Sequence, residues 1–238
     1  MKSRSQEKEL MDGPLADPQI LYKNLDEIAF INKFTALYGQ QLNQINKLIP
    51  KDKKEVEIVD LGCGGGDFLF FLEKNRNKLP AKLQLSGLDT EPHAIAYAEK
   101  KFPELRGKVT WIQKDYKQWL ESEEKTDIIC CNLFCHHLSD EDIVDLLKKG
   151  TQKAKLGLII NDLHRHPVAY HFIKIATHLF SSSEYTKNDA PLSVKRSFKR
   201  KDWDSFLREA NGVQLLIEGD VRWLPSFRFL VSVRKLDI

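Results

Sequence analysis

The sequence lacks the features of secreted, membrane-spanning and repetitive proteins. It has only 4 cysteines, three of them crowded between Cys130 and Cys135, a spacing that is no disulfide framework and fits a reducing cytoplasm. The N-terminus is polar, without the apolar core of a signal peptide, and no hydrophobic run approaches membrane-spanning length. No internal repeat is visible. These absences predict a cytoplasmic globular protein with no membrane partner.

A strong charge of one sign is also missing. Lys+Arg number 37 and Asp+Glu 34, and the net charge of +3 gives no reason to expect a nucleic-acid partner. The basic run from Lys195 to Lys201 is interpreted first as solvated surface, and the alternative is a patch for an acidic substrate, a carrier protein or RNA. The 42% hydrophobic content over 238 residues is typical of a soluble globule with a sizeable core.

No long Gly/Ser linker divides the chain, so its organisation is predicted from hydrophobic periodicity. Residues 1–17 are polar and are expected to form an arm that is mobile or ordered by a ligand. From 17 to 49, apolar residues recur at threes and fours, which indicates two helices that end before Pro50. We therefore predict an N-terminal arm and helical cap over 1–54 and a main domain over 55–238.

The main domain alternates short apolar runs with amphipathic segments. This alternation indicates an α/β fold, in which a parallel sheet carries helices on both faces. Strands are predicted at 56–61, 82–88, 108–113, 126–131 and 155–161, and helices near 66–76, 92–101 and 139–150.

The pattern changes after the fifth strand. Residues 164–201 begin with helical spacing and continue with a polar loop at 181–191, and this insertion is predicted to be a lid or an acceptor pocket. A helix at 202–210 is then followed by strand-like runs at 213–219 and 227–235. Two closing strands joined by a short loop imply an antiparallel hairpin at the sheet edge.

The stretch EIVDLGCGGGDFLFF, residues 57–71, is the main functional clue. A buried strand delivers a glycine run into a helix N-terminus, where the backbone can approach a ligand and offer free amide groups. Asp60 at the strand end would repel a diphosphate but can receive an ammonium group, and Asp67 stands where a dinucleotide motif has its third glycine. S-adenosylmethionine carries an ammonium and a sulfonium and no phosphate. The alternative is a merely tight turn.

Further acids stand at the ends of the next two predicted strands. Asp89, in LQLSGLDTEP, can accept hydrogen bonds from ribose hydroxyls. Asp115 can accept a bond from an adenine amino group while the ring of Tyr116 covers the base. Each acid also suits a helix N-cap, and this alternative stays open at both positions.

Four segments, VDLGCGGGD, LDTEP, QKDY and DIICCNLFCHHLSDED, resemble the class I S-adenosylmethionine-dependent methyltransferases in order and spacing. The resemblance covers roughly residues 55–238 and implies a Rossmann-like sheet of seven strands, mostly parallel, with an antiparallel C-terminal hairpin. RSQEKELMD and SVKRSFKRKDW look similar to the bacterial branch that acts on quinone or polyketide-type small molecules. The absence of an NPPY-type motif after the fourth strand argues against methylation of nucleic acids or protein amides.

The resemblance implies that S-adenosylmethionine is the cofactor and assigns its contacts. Asp60, Gly62 and Gly64 would line the methionine portion, with Gly66 in the same glycine turn. Asp89 would hold the ribose, with Thr90 adjacent. The remaining contacts are assigned to Asp115 and Tyr116 at the adenine and to Asn132 facing the centre of the cofactor.

Histidines follow the fourth and fifth predicted strands and are candidates for a general base. Methyl transfer from a sulfonium is an in-line displacement that depends on positioning, and a hydroxyl or acidic carbon acceptor gains from a base near neutral pKa. Only one of His136 and His137 can point inward, so His137 and His164 are predicted as bases, with structural histidine as the alternative. Arg165 is a further candidate, for holding an anionic acceptor.

Cysteines at 130, 131 and 135 beside His136 and His137 suggest zinc, but no metal site is predicted. Adjacent strand residues point to opposite faces, and the chain contains no CxxC pair.

The sequence thus predicts an enzyme that methylates a small-molecule acceptor, by O-methylation or alternatively C-methylation. A non-catalytic cofactor-binding module and a nicotinamide-dependent reductase are the other hypotheses. Asp60, Asp67 and the lack of a Tyr-xxx-Lys pair speak against the reductase. The oligomeric state stays open, with a homodimer as one option.

Overall fold

A seven-stranded sheet forms the centre of the molecule, in the computed structural model that describes residues 1–13, 17–34, 37–212 and 215–236. Its strands are β1 Glu55–Leu61, β2 Lys82–Asp89, β3 Val109–Gln113, β4 Thr126–Asn132, β5 Ala154–Leu163, β6 Ile217–Leu224 and β7 Arg228–Lys235. The spatial order is β3-β2-β1-β4-β5-β7-β6. The first five strands pair in parallel, and β7 runs antiparallel to both β5 and β6. This confirms the predicted Rossmann-like fold with its closing hairpin.

Helices cover both faces of this sheet. They are α1 Pro18–Phe34, α2 Leu37–Leu48, α3 Asp67–Lys74, α4 Pro92–Lys101, α5 Tyr116–Glu121, α6 Asp140–Lys153, α7 Pro167–Phe180, α8 Glu184–Arg196 and α9 Arg200–Ala210. None of these described helices has the length and apolar character needed to cross a membrane.

Two apolar cores lie on opposite faces of the sheet, because successive strand residues point to opposite sides. In β1, Val59 and Leu61 belong to the core built with α5, α6 and α9, whereas Val56 and Ile58 belong to the core built with α2 and α3. Each of these four side chains is at most 1% exposed. The sheet is therefore held rigidly from both sides, and the ends of its strands are fixed in position.

Two local predictions were wrong. Residues 184–191, predicted as part of a polar loop, lie within α8. The polar side chains of this segment can be buried because they have hydrogen-bond partners. Thr186 donates to Asn24 at 2.8 Å, and Asp189 accepts from the amides of Leu10 and Met11. The strand predicted at 213–219 begins instead at Ile217 and continues to Leu224. Residues 213 and 214 of that prediction lie outside the described residues.

Residues 1–13, here called the arm, pack against α8 and the segment that follows β4. The amide of Ser5 donates to the carbonyl of Lys195 at 3.0 Å. The guanidinium of Arg4 donates to the carbonyls of Arg196 and Leu138 at 2.7 and 2.9 Å. The arm is therefore docked along its length, and it brings its own side chains to the carboxyl ends of the strands.

Candidate active site

A cavity of about 480 Å³ opens at the carboxyl ends of β1, β2 and β4. This is the edge at which an open α/β sheet binds its ligand, because the strand order reverses there. The strand ends form its floor, and the roof is made by the arm and by the apolar side chains Leu21, Leu25 and Ile28 of α1. The cavity is thus enclosed by parts of the chain that are distant in sequence.

The glycine turn after β1 is shaped by backbone conformations that favour glycine. Gly62 and Gly64 have φ angles of 67° and 50°, in the left-handed region. The amides of Gly62 and Cys63 donate to the carbonyl of Leu88, and the amide of Gly64 donates to the carboxylate of Asp89 at 2.9 Å. A side chain at Gly62 would also collide with the ring of Phe134. The turn is therefore tied to the end of β2.

The floor of the cavity is acidic; we call Asp60, Asp67, Asp89 and Asn132 the acidic floor. Burial raises the pKa of Asp60 well above its ordinary value, and the charges of Asp67 and Asp89 raise it further, against a hydrogen bond from Asn132 at 3.0 Å. The Oδ1 atom of Asn132 is buried and has no hydrogen-bond partner. A buried oxygen that lacks a hydrogen-bond donor and lies next to several carboxylates is suited to a ligand that carries an ammonium group.

Seven of the sequence-predicted residues line this cavity. They are Asp60, Gly62, Gly64, Asp89, Thr90, Asn132 and His137. Asp89 is the most engaged of the acids, because its second oxygen accepts from the amide of Glu91 at 3.0 Å. Burial raises its pKa, despite the opposing hydrogen bonds from the backbone.

Three predicted cofactor residues do not line the cavity. Gly66 is the N-cap of α3, and an added Cβ would lie 2.7 Å from the ring of Trp111 in β3, so its small size serves the packing of α3 against the sheet. Asp115 is the N-cap of α5 and accepts from the amides of Lys117 and Gln118, which is the alternative that its sequence left open. Tyr116 is buried edge-on against Phe134, so it supports a lining residue without reaching the cavity.

His164, the second predicted base, also lies away from the cavity. The chain after β5 forms a bridge to Phe198, and the Nδ1 atom of His164 accepts from the indole of Trp223 at 3.1 Å. Burial lowers the pKa of His164, and the neighbouring cations His166, Lys199 and Arg165 lower it further. No residue of the predicted lid, 164–201, is among the described residues that line the cavity. The arm and α1 cover it instead.

His137 is paired with a carboxylate that sequence reasoning missed. Its Nδ1 atom lies 2.9 Å from Asp12 of the arm, 125 positions away in sequence. Burial would raise the pKa of Asp12, but the hydrogen bonds and charges of His137 and Arg196 lower it well below its ordinary value. Arg196 donates to the other oxygen of Asp12 at 2.6 Å. The result is an oriented imidazole at the rim of the cavity.

A second imidazole–carboxylate pair lies directly behind the first. The Nδ1 atom of His136 is 2.8 Å from Asp162, and the backbone amide of His136 donates to the same carboxylate at 3.1 Å. Burial would raise the pKa of Asp162, but the charge and hydrogen bond of His136 lower it. A carboxylate oxygen of Glu9 lies 3.8 Å from the Nε2 atom of His136, and burial raises the pKa of Glu9. We call Glu9, Asp12, His136 and His137 the arm cluster.

α1 is held over the cavity by contacts with α4. Tyr22 stacks on Tyr97 with ring centroids 5.0 Å apart, and Lys101 forms an ion pair with Asp26. At the other end of α1, Asn32 and the hydroxyl of Tyr38 both donate to Asp67, the latter at 2.6 Å. Asp67 of the acidic floor therefore also holds α1, the helix that covers the cavity.

The chain matches one protein family and several solved structures. Residues 58–156 match a family described as a methyltransferase domain. No curated protein sequence matches the chain.

Solved structures share the fold at low sequence identity. The plantazolicin methyltransferase BpumL in complex with SAH is 18% identical with a TM-score of 0.66, and the alignment covers 93% of this chain and 92% of that one. Magnesium protoporphyrin IX methyltransferase from Synechocystis PCC 6803 with bound SAH is 16% identical with a TM-score of 0.55, covering 94% and 90%. A possible exported protein from Bordetella parapertussis is 17% identical with a TM-score of 0.61, covering 83% of this chain and 66% of that one.

Proposed function

We propose that this chain is a class I S-adenosylmethionine-dependent methyltransferase and that it methylates an oxygen atom of a small-molecule acceptor. The observation that supports this function is a single cavity with an acidic floor on one side and the oriented imidazole of His137 on the other. Cavities of this size suit small molecules. A roof made by α1 and the arm leaves little access for a polymer.

Six residues are proposed to hold the cofactor. Asp60 and Asn132 would receive its ammonium group, since the buried Oδ1 atom of Asn132 lacks a donor. The glycine turn at Gly62 and Gly64 would let the backbone approach the ligand, and Asp89 with Thr90 would meet the ribose. When bound, S-adenosylmethionine supplies an electrophilic methyl group on a sulfonium.

His137 is proposed as the general base. With its Nδ1 hydrogen donated to Asp12, the neutral ring offers Nε2 to an acceptor hydroxyl. Nε2 would accept the proton that the acceptor hydroxyl loses, and Asp12 would stabilise the imidazolium that results. Asp12 acts as a positioning residue, because Arg196 fixes it and it does not itself take the proton. His164, which does not line the cavity, is not retained in this role.

The test is a transfer assay with methyl-labelled S-adenosylmethionine and a panel of phenols, enols, carboxylic acids and carbon nucleophiles. We expect label in an ether or ester product, and we expect calorimetry to show binding of S-adenosylmethionine but not of NAD. Transfer only to carbon would replace O-methylation by C-methylation. Tight binding without transfer to any acceptor would favour the non-catalytic module.

We also infer a cytoplasmic location. Cys63, Cys130, Cys131 and Cys135 are all unpaired and buried, which is typical of proteins kept in a reducing compartment. Fractionation of the native host should recover the protein with cytoplasmic markers, and recovery from an extracytoplasmic fraction would contradict the inference.

A further inference from the structure

Three members of the arm cluster bring potential metal ligands together. Glu9, His136 and His137 each offer one ligand atom, and these three atoms lie within 4.8 Å of one another. Glu9 and His136 are 7% and 3% exposed, whereas the side chain of His137 is 32% exposed, so an ion here would be shielded by the first two ligands and reached by solvent from the side of His137. Two imidazoles and a carboxylate are a ligand set that is used for zinc and other first-row divalent ions.

Both imidazoles are oriented by carboxylates that would form an outer shell. Asp162 contacts the Nδ1 atom of His136 at 2.8 Å, and Asp12 contacts the Nδ1 atom of His137 at 2.9 Å. This fixes the tautomer of each ring and leaves its Nε2 atom available to an ion. Metal-binding histidines almost always have such a carboxylate or carbonyl on the other nitrogen.

The charges around the three ligands favour a cation. Glu9, Asp12 and Asp162 contribute three carboxylates, and two guanidinium groups of the described residues lie close by: Arg196 pairs with Glu9 and Asp12, and Arg4 donates to the carbonyl of His136 at 3.2 Å. Arg196 is already engaged, because it pairs with Asp12 and donates to the carbonyls of His136 and His137 at 3.2 and 3.1 Å. Ser193 donates to the same oxygen of Glu9 at 2.9 Å, which orients the carboxylate.

We propose that Glu9, His136 and His137 form a binding site for one divalent transition-metal ion of the zinc class. Three protein ligands leave a further coordination position open, beside the cavity that His137 lines. The ion would join the arm, through Glu9, to the segment that follows β4. This inference goes beyond the proposed function, and binding of the ion does not depend on methyl transfer.

Occupancy would change what His137 can do. A Nε2 atom that ligates an ion cannot accept a proton, so the metal-loaded and metal-free proteins would differ in the proposed reaction. Added zinc is therefore expected to suppress the imidazole-dependent reaction and to hold the arm in its docked position. The site would make the protein sensitive to the level of available zinc.

The experiment uses the full chain, freed of any affinity tag and treated with a chelator, without cofactor or acceptor. Cobalt(II) is titrated and followed by its visible absorption, and zinc is then added in competition. We expect one equivalent to bind with the absorption of a low-coordinate nitrogen and oxygen site, and zinc to displace it. No saturable absorption change would overturn the proposal.

Matched variants locate the site. Glu9→Gln keeps the size of the side chain and removes its charge, and His137→Ala removes a half-exposed ring; each is expected to weaken cobalt binding by about 100-fold, since even outer-shell changes cost 10–100-fold. Glu7→Gln, on an exposed part of the arm, and His93→Ala, an exposed histidine, should bind as the unmodified protein does. Circular dichroism checks that each variant is folded.

A second readout does not depend on any substitution. In protein labelled with ¹⁵N-histidine, zinc should shift the Nε2 resonances of two rings and leave those of the exposed His93 unchanged. Full binding by both Glu9→Gln and His137→Ala would place the ion elsewhere and overturn the proposal. Failure of methyl transfer would leave these binding results unaffected, so the two proposals can fail separately.

Discussion

The acidic floor and the arm cluster face each other across one cavity but are assembled by different forces. Asp60 and Asp89 stand at the ends of neighbouring parallel strands, and the amide of Gly64 ties the turn between them to the floor. Glu9 and Asp12 instead reach the two histidines through ion pairs and side-chain hydrogen bonds from the arm. The sheet would keep the floor in place without the arm, whereas the arm cluster exists only while the arm is docked. The proposed function therefore predicts that cofactor binding and proton transfer can be lost separately.

The strongest test of that separation is His137→Ala. General acid–base catalysis typically contributes about 10²–10⁴-fold, so we expect turnover to fall by that order. Affinity for S-adenosylmethionine should stay within a few-fold, because the floor is untouched. Calorimetry and the labelled-methyl assay measure the two properties side by side. His164→Ala is the control and should keep its turnover; equal losses in both variants would break the assignment.

The complementary change is Asp89→Ala. It removes the proposed acceptor for the ribose and the partner of the Gly64 amide, and a hydrogen bond to a charged group contributes about 1.5–3 kcal/mol, so affinity for the cofactor should fall by about 100-fold. Asp115→Asn is the matched control: it alters the cap of α5 and should leave affinity unchanged. If the control loses affinity instead, adenine is bound at Asp115 as the resemblance implied.

Gly62→Ala probes how far the floor depends on backbone shape. A non-glycine residue in a left-handed conformation costs about 1–2 kcal/mol, and here the new methyl group would also meet the ring of Phe134. Gly107→Ala is the control, because Gly107 has a φ of 72° but open space around it. Urea unfolding should show the larger loss at Gly62, and equal losses would mean that the Phe134 contact relaxes without cost.

The smallest expected effect is a pH dependence carried by Asp60. Its raised pKa, caused mainly by burial, lets the folded protein retain a proton that the unfolded chain releases near 3.8. The stability this group contributes is present below that value and is lost as pH rises through the raised pKa. The Asp60→Asn variant has no ionisable group at this position. Without cofactor, its melting temperature relative to that of the unmodified protein should therefore rise between pH 5 and pH 8. A difference in melting temperature that does not change with pH would contradict the raised pKa of Asp60.

Much of the floor could be predicted from the sequence because its determinants are local. Asp60 and Asp89 each end a strand that is recognisable by its apolar run, and parallel strands bring such ends together. The role of Asp115 could not be decided from the sequence, because a carboxylate that caps a helix and one that binds a base occupy the same sequence position. Only packing distinguishes them.

The arm cluster could not be predicted in the same way. Asp12 and His137 are 125 positions apart, and neither the polar arm nor a pair of adjacent histidines carries a periodicity that links them. The part played by α1 could not be predicted for a related reason: its apolar spacing indicates a packed face but does not identify the element against which that face packs. Insertion length favoured 164–201 as the cover, yet α7 and α8 pack mainly against each other.

The docking of the arm also bears on how such a protein can change over evolutionary time. Loss of residues 1–13 would remove Glu9 and Asp12 while sparing every strand and the glycine turn, leaving a domain in which His137 has lost the carboxylate that orients it. A short deletion would thus weaken the proposed proton transfer and leave the side chains of the acidic floor in place. The reverse step, the acquisition of an N-terminal segment with a suitably placed carboxylate, would add an orienting group for His137 without redesign of the sheet.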